Sequence, residues 1–327
     1  MNYPESQLIL EEIKKANKIL VNCHRSPDPD SFGSALAMYE ELLKLGNTVE
    51  IICPSEDFIN YAFLDHFNQI KYVKFEEFNF TDYDLLIAID SSSWDQVTDV
   101  QDFAPPIKTV VIDHHETNTK YGAINLVMPD ISSAAEVVYG VLEDWGSELT
   151  KSQANALLTG VIGDTGAFRY PEVTATTLKI AGELIDLGAN KNEIIFNIFN
   201  NLDEKMLQFW GLVLTNLRVE HEHKFAWSAV SYVDYAKIEP PQKTSSITAN
   251  MFFASIRDTN FGFILIESQI GKLDLSLRAR TDFDTSKIAV ELGGGGHKAA
   301  SGAEIIGKSF DEAVSLVLET AKKYANQ

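Results

Sequence analysis

Among the acidic and histidine residues of this 327-residue chain, eight stand in segments that could bind metal ions or move protons: His24, Asp28, Asp30, Asp90, Asp113, His114, His115 and Asp164. They fall in the short segments HRSPDPD, IDSS, DHH and GDTG. Imidazole and carboxylate in similar measure, without thiolate, form a donor set for Mn²⁺ or Mg²⁺, with Co²⁺ and Zn²⁺ also accommodated. Four or more carboxylates in one cleft would repel each other unless cations sat among them. Two divalent ions bridged by a carboxylate are a recurring solution for phosphoryl hydrolysis, because they acidify a water and neutralise charge on the phosphate oxygens. Taken singly, each segment also has a structural reading. An aspartate in a turn caps a helix, and a histidine can be a satisfied core residue. Agreement among the segments is what points to chemistry.

That agreement comes from the elements that must position them. KILVN (18–22), VEIIC (49–53), LLIAID (85–90) and TVVID (109–113) are continuous apolar runs rich in β-branched residues, as in strands covered on both faces. SFGSALAMYEELLKLG, between the first two, has apolar residues at helical spacing and a glycine stop. This βαβ pattern predicts a parallel sheet with helices on both faces. Ligands of such sheets bind outside the carboxyl ends of the strands. His24, Asp90 and the Asp113-His114-His115 run are thus delivered to one edge. Helical patterns follow at 134–146, 152–163 and 174–188. The reading is an α/β domain over 1–188, a helical connection over 189–218, and a smaller mixed-sheet α/β domain over 219–327. The last domain has strand patterns at 224–232, 261–268 and 273–280, and helical patterns at 244–255, 286–293 and 309–325.

The net charge of −20 argues against a protein that tracks duplex DNA, which needs a basic stripe to displace counterions. It is compatible with a short anionic substrate, since bound cations invert the sign inside one cleft. No run of eighteen apolar residues is present to span a bilayer, and the N-terminus lacks the order of a secretory signal. The expectation is a cytoplasmic protein without a membrane partner. Cys23 and Cys53 read as small buried residues at strand ends. A monomer and a homodimer both remain open.

In the second half, GGGGH (293–297) reads as a place where backbone N–H groups could form an anion-binding nest. It is not a nucleotide-binding P-loop, as no Gly-Lys-Ser/Thr follows. Together these segments resemble the DHH phosphoesterase family. HRSPDPDSFGS is similar to its motif HxxPDxDxxGS, IDSS to its second motif, DHH to the motif that names it, and GDTGAF to the fourth. GGGGHKAASG resembles the signature of the accessory DHHA1 domain. The resemblance implies that His24, Asp28 and Asp90 hold one metal, and that Asp30, Asp90, His114 and Asp164 hold a second. Asp90 would bridge the two, Asp113 would orient a histidine, and His115 would meet the scissile phosphate. Arg278, matching the arginine of an SxRS-like segment, would clamp a substrate phosphate bidentately. Gly294, Gly295, Gly296 and His297 would also contact substrate. Pro29 stands where the family commonly has glycine. The implied activity is that of short cytoplasmic enzymes acting on oligoribonucleotides and on 3′-phosphoadenosine 5′-phosphate. The rivals are a pyrophosphate or polyphosphate hydrolase, a cyclic-dinucleotide phosphodiesterase, and a nucleotide-binding regulator without turnover.

Overall fold

The apolar runs of the first half become neighbours in one parallel sheet. The computed structural model describes residues 2–55, 61–98, 100, 103–241 and 244–326. After α1 (Pro4–Lys15) come β1 (Lys18–Asn22), α2 (Pro29–Lys44), β2 (Thr48–Cys53), β3 (Ile70–Tyr72), β4 (Leu85–Ile89), the one-turn α3 (Trp94–Val97), β5 (Lys108–Asp113) and β6 (Ile124–Val127). The strand order is β3-β2-β1-β4-β5-β6, and every adjacent pair is parallel. The chain winds outward from β1 in one direction and from β4 in the other. The order therefore reverses between β1 and β4, which is where crevices open in sheets of this kind.

Helices cover the two faces unequally. α4 (Ala134–Asp144), α5 (Lys151–Asp164), α6 (Ala175–Asp186) and α7 (Lys191–Ile195) join α1 and α2 over the face that carries Ile19, Val21, Ile87, Ile89, Val110 and Ile112. The opposite face, with Leu20, Ile52, Leu86 and Ala88, is sealed by Phe75, Phe80 and Val97 of the short α3. Burial on both sides explains why these strands read as unbroken apolar runs. β3 and β6 escaped that reading because they are short edge strands with mostly half-exposed or exposed residues.

The chain divides into two compact units, Met1–Asn201 and Leu202–Gln327. The boundary falls inside the segment read as a connection, and that segment is shared. Ile194, Ile195, Ile198 and Phe199 pack in the first unit's core. Met206, Phe209, Trp210 and Val213 of α8 (Glu204–Thr215) pack in the second. The second unit continues with β7 (Arg218–Glu220), β8 (Phe225–Val230), α9 (Tyr232–Ile238), α10 (Thr244–Thr248), β9 (Phe261–Gln269), β10 (Lys272–Ala279), α11 (Ser286–Glu291), β11 (Gly295–Gly296), β12 (Ala300–Ile306) and α12 (Phe310–Ala325). Its sheet order is β11-β12-β10-β9-β8-β7. β8 and β9 pair parallel, and the other pairs are antiparallel. On β10, Leu273, Leu275 and Leu277 alternate into the core beneath α11 and α12, which leaves Asp274, Ser276 and Arg278 on the other face.

Candidate metal centre

β1 and β4 end side by side at the strand reversal, and each delivers one residue there. His24 follows β1, and Asp90 follows β4 directly. Asp90 holds a left-handed backbone at φ 58°, a conformation that aspartate tolerates better than most residues. β5 ends on Asp113, with His114 and His115 behind it. Three more carboxylates come from helices. Asp28 caps α2 and accepts from the N–H groups of Asp30 (2.9 Å) and Ser31 (3.0 Å). Asp30, in the first turn of α2, accepts from Ala134 N–H (2.6 Å) and Ala135 N–H (2.9 Å) at the start of α4. Pro29 occupies the first position of α2, where a fixed φ and a missing N–H cost nothing. Its ring fills the space beside Gly163, where an added Cβ would sit 2.4 Å from Pro29 Cβ. Asp164 is the last residue of α5, where a carboxylate opposes the helix dipole.

The side chains converge. His24 Nε2 is 3.4 Å from Asp90 Oδ2 and 3.7 Å from Asp28 Oδ1. His114 Nε2 is 3.2 Å from Asp164 Oδ2 and 3.6 Å from Asp90 Oδ1. Ligand atoms lie within 4.8 Å of one another in each of three sets: His24, Asp28 and Asp90; Asp30, His114 and Asp164; and Asp90, His114 and His115. Asp113 stands behind them, fully buried. It accepts from His115 Nδ1 (2.8 Å) and Asn118 Nδ2 (2.6 Å). The histidine it orients is therefore His115. His114 is turned by the Ile131 carbonyl instead.

The histidine tautomers follow from these partners. His24 Nδ1 lies 2.9 Å from Arg25 O, and His114 Nδ1 lies 3.1 Å from Ile131 O. A carbonyl only accepts, so both Nδ1 atoms carry hydrogen. A neutral ring then aims its Nε2 lone pair at carboxylates, which is repulsive unless a proton or a metal ion lies between. This is the usual arrangement of a ligating histidine with its far N–H anchored. The carboxylates record the same crowding. Burial, then the charges of Asp90 and Asp28, push Asp164 up to about 8. Burial, then Asp90 and Asp164, hold Asp30 well above the carboxylate range. Burial opposes ionisation of Asp28 too, but His24 and the capping N–H groups outweigh it, lowering Asp28 to about 2. The hydrogen bond to Asp113 lifts His115 to about 9. Such a cluster has the oxygen and nitrogen donors of a hard divalent cation site.

Residues 18–161 match the N-terminal domain of the DHH family, and residues 228–324 match the DHHA1 domain. The chain is a DHH/DHHA1 phosphoesterase. It is 26% identical to the bifunctional oligoribonuclease and PAP phosphatase NrnA of Thermus thermophilus, over 98% of this chain and 95% of that protein. It is also 26% identical to the Bacillus subtilis protein of the same name, over 96% of this chain and 98% of that one. Among solved structures, an exopolyphosphatase-related protein from Bacteroides fragilis superposes with a TM-score of 0.90. That protein is 27% identical and covers 98% of this chain and 96% of its own.

In the DHHA1 unit, Arg278 is the penultimate residue of β10 and donates through Nε to Asn250 Oδ1 and through Nη1 to Leu277 O. Among the described residues its Nη2 group has no hydrogen-bond partner and Nη1 keeps a second N–H, so the guanidinium retains donors for a phosphate. At GGGGH three of the five N–H groups of the expected nest have partners within the chain. The N–H groups of Gly293, Gly294 and His297 donate within the chain to Val290, Ala289 and Ala300. The glycines serve the tight β11–β12 pairing: a Cβ at Gly294 would lie 2.1 Å from Gly302 O. Gly295 and Gly296 are exposed, as is the His297 side chain.

Sequence reasoning missed Asn118, which has no spacing rule to mark it. It also missed the wall of a cavity of about 350 Å³ that runs from His114, His115 and Asp164 to Tyr170 and Glu172.

Proposed function

We propose that this DHH/DHHA1 phosphoesterase hydrolyses short oligoribonucleotides and 3′-phosphoadenosine 5′-phosphate, with two divalent ions, Mn²⁺ foremost, at the centre just described. The observation that carries the two-ion reading is the placement of Asp90, whose Oδ2 faces His24 at 3.4 Å while Oδ1 faces His114 at 3.6 Å. A carboxylate so placed serves two cation positions. On this reading His24, Asp28 and Asp90 hold one ion, and Asp30, Asp90, His114 and Asp164 hold the other. When bound, the ions supply an acidified water and neutralise charge on the phosphate oxygens.

The chain's own groups do the rest. Asp113 holds the Nδ1–H of His115, leaving Nε2 to donate to the phosphate as charge develops. The start of α4 fixes Asp30, and the carbonyls of Arg25 and Ile131 fix the two ligating rings. In the DHHA1 unit, Arg278 and the exposed Gly295, Gly296 and His297 are the groups left to contact a nucleotide. The nucleotide reading is supported by the names of the Thermus and Bacillus relatives. Among the described residues no helix is long and apolar enough to cross a membrane. A cytoplasmic location and single-stranded rather than duplex partners complete the reading, in keeping with the net charge of −20.

The test is a side-by-side assay of the Mn²⁺-loaded protein. Phosphate release from 3′-phosphoadenosine 5′-phosphate and mononucleotide release from RNA dimers to pentamers are expected. A clear preference for pyrophosphate would refute the nucleotide substrates while leaving the metal centre intact.

A further inference from the structure

The cavity beside the metal centre has a chemical character of its own. Its walls are apolar at Pro129, Ile131, Tyr170 and Val173, with the hydroxyl residues Ser132 and Thr165 between them. Among the described residues no lysine or arginine lines it. Its charged rim residue beyond the centre is Glu172, whose charge adds to that of the other carboxylates around Asp164. An anionic group entering here would meet only carboxylates away from the metal ligands. The space therefore suits an uncharged part of a substrate, and about 350 Å³ is within the range of small-ligand sites.

Tyr170 is the unusual member of that wall. Its neighbours Ala167 and Phe168 pack on the hydrophobic core, whereas Tyr170 is 48% exposed. The ring lies on Gly166: a Cβ there would meet Tyr170 Cζ at 2.6 Å, Cε1 at 2.8 Å and Cε2 at 3.0 Å. Those three ring carbons, rather than the hydroxyl, are the nearest atoms, so Gly166 backs a face of the ring and not its edge. A rigidly backed aromatic face at the border of an uncharged cavity is the arrangement that stacks a nucleobase, a contact that tolerates any base.

Resting on the phosphoester reading above, we propose that this cavity takes the nucleoside attached to the scissile phosphate and that the Tyr170 ring stacks on its base. Tyr170 acts as a specificity residue here, not as a proton donor or metal ligand.

The experiment is a cycle in which the base and the ring are removed separately and together. The Mn²⁺-loaded protein and its Tyr170→Ala and Tyr170→Phe variants are assayed on a diadenylate and on two analogues, each lacking one base. For wild type, loss of one of the two bases is expected to lower kcat/KM about tenfold, the usual scale of a base stack. In Tyr170→Ala that same loss should have little further effect, and Tyr170→Phe should restore the sensitivity. Such non-additivity is the mark of a direct contact. Equal sensitivity to base removal in wild type and Tyr170→Ala would overturn the stack, including the case in which the alanine variant slows all three substrates alike. A wild-type protein that cleaves none of the three would overturn the nucleotide reading itself, so the two failures are distinguishable.

Discussion

The metal centre and the glycine-rich turn of the DHHA1 unit both consist of residues that bind anions or cations, yet the chain holds them in opposite ways. At the centre, five inward-facing groups have a second partner fixing their direction. Asp28 caps α2, Asp30 takes two N–H groups from α4, His24 and His114 lean on carbonyls, and His115 leans on Asp113. In the second unit His297 is exposed, and the glycines answer the needs of their own hairpin. The first region is a preformed electrostatic trap. The second is a surface that a ligand must partly reorganise. Damage to the first should abolish turnover, and damage to the second should weaken binding.

The largest effect expected on that contrast is from Asp90→Asn. Asparagine tolerates the left-handed backbone that alanine would strain, so the substitution removes charge rather than shape. Turnover should fall on the order of a thousandfold or more, because the shared carboxylate and its electrostatic role are lost together. The metal-free melting temperature should hold or rise, since a charge that repels Asp30 and Asp164 is gone. A variant with near-normal turnover would break the two-ion reading. One that fails to fold would make Asp90 a structural residue instead.

How much of this could be read from sequence follows the same divide. His24, Asp90 and Asp113 were legible because a buried parallel strand is an unbroken apolar run, and each polar residue sits where a run stops. Asp28 illustrates a case in which two readings hold together: it caps a helix and also faces His24. Pro29 looked like a departure from the family's loop, and the structure makes it the natural first residue of α2. Less legible were the features that depend on tertiary approach. Nothing local says that Asn118 will reach Asp113, that Gly166 will back Tyr170, or that Gly294 must clear Gly302 O. The glycine run looked like an anion nest because glycine permits one, but Gly293 and Gly294 give their N–H groups to α11 and His297 gives its own to Ala300.

A smaller effect is expected from Arg278→Ala. Its partners are Asn250 and a carbonyl, and it sits among the described residues without a carboxylate in hydrogen-bond contact. Losing one phosphate contact of this kind should raise KM about tenfold for a short oligoribonucleotide and move kcat by less than about threefold. Steady-state kinetics on one substrate at saturating Mn²⁺ would decide this. A loss confined to kcat would place Arg278 with the reacting groups and erase the contrast between the two regions.

The smallest effect is in stability, and its sign follows from the crowded carboxylates. Asp164 ionises at about 8 in the folded chain, against an ordinary value of 3.8. Between those limits the folded state binds more protons than the unfolded one, so stability falls as pH rises. His115, lifted from 6.5 to about 9, favours the fold below 6.5, and that contribution is lost as pH climbs through 9. The two add in the same direction between pH 6.5 and 8. The metal-free chain should therefore melt a few degrees lower at pH 8 than at pH 6.5, on the usual scale linking small stability changes to melting temperature. Divalent ions take the place of those protons, so saturating Mn²⁺ should flatten the dependence and widen the gap between loaded and metal-free protein as pH rises. Melting curves in chelator and in Mn²⁺ across that interval would show it. A metal-free melting temperature that rose over the interval would mean that protein groups already balance the carboxylates, and the need for cations inferred from their crowding would fall with it.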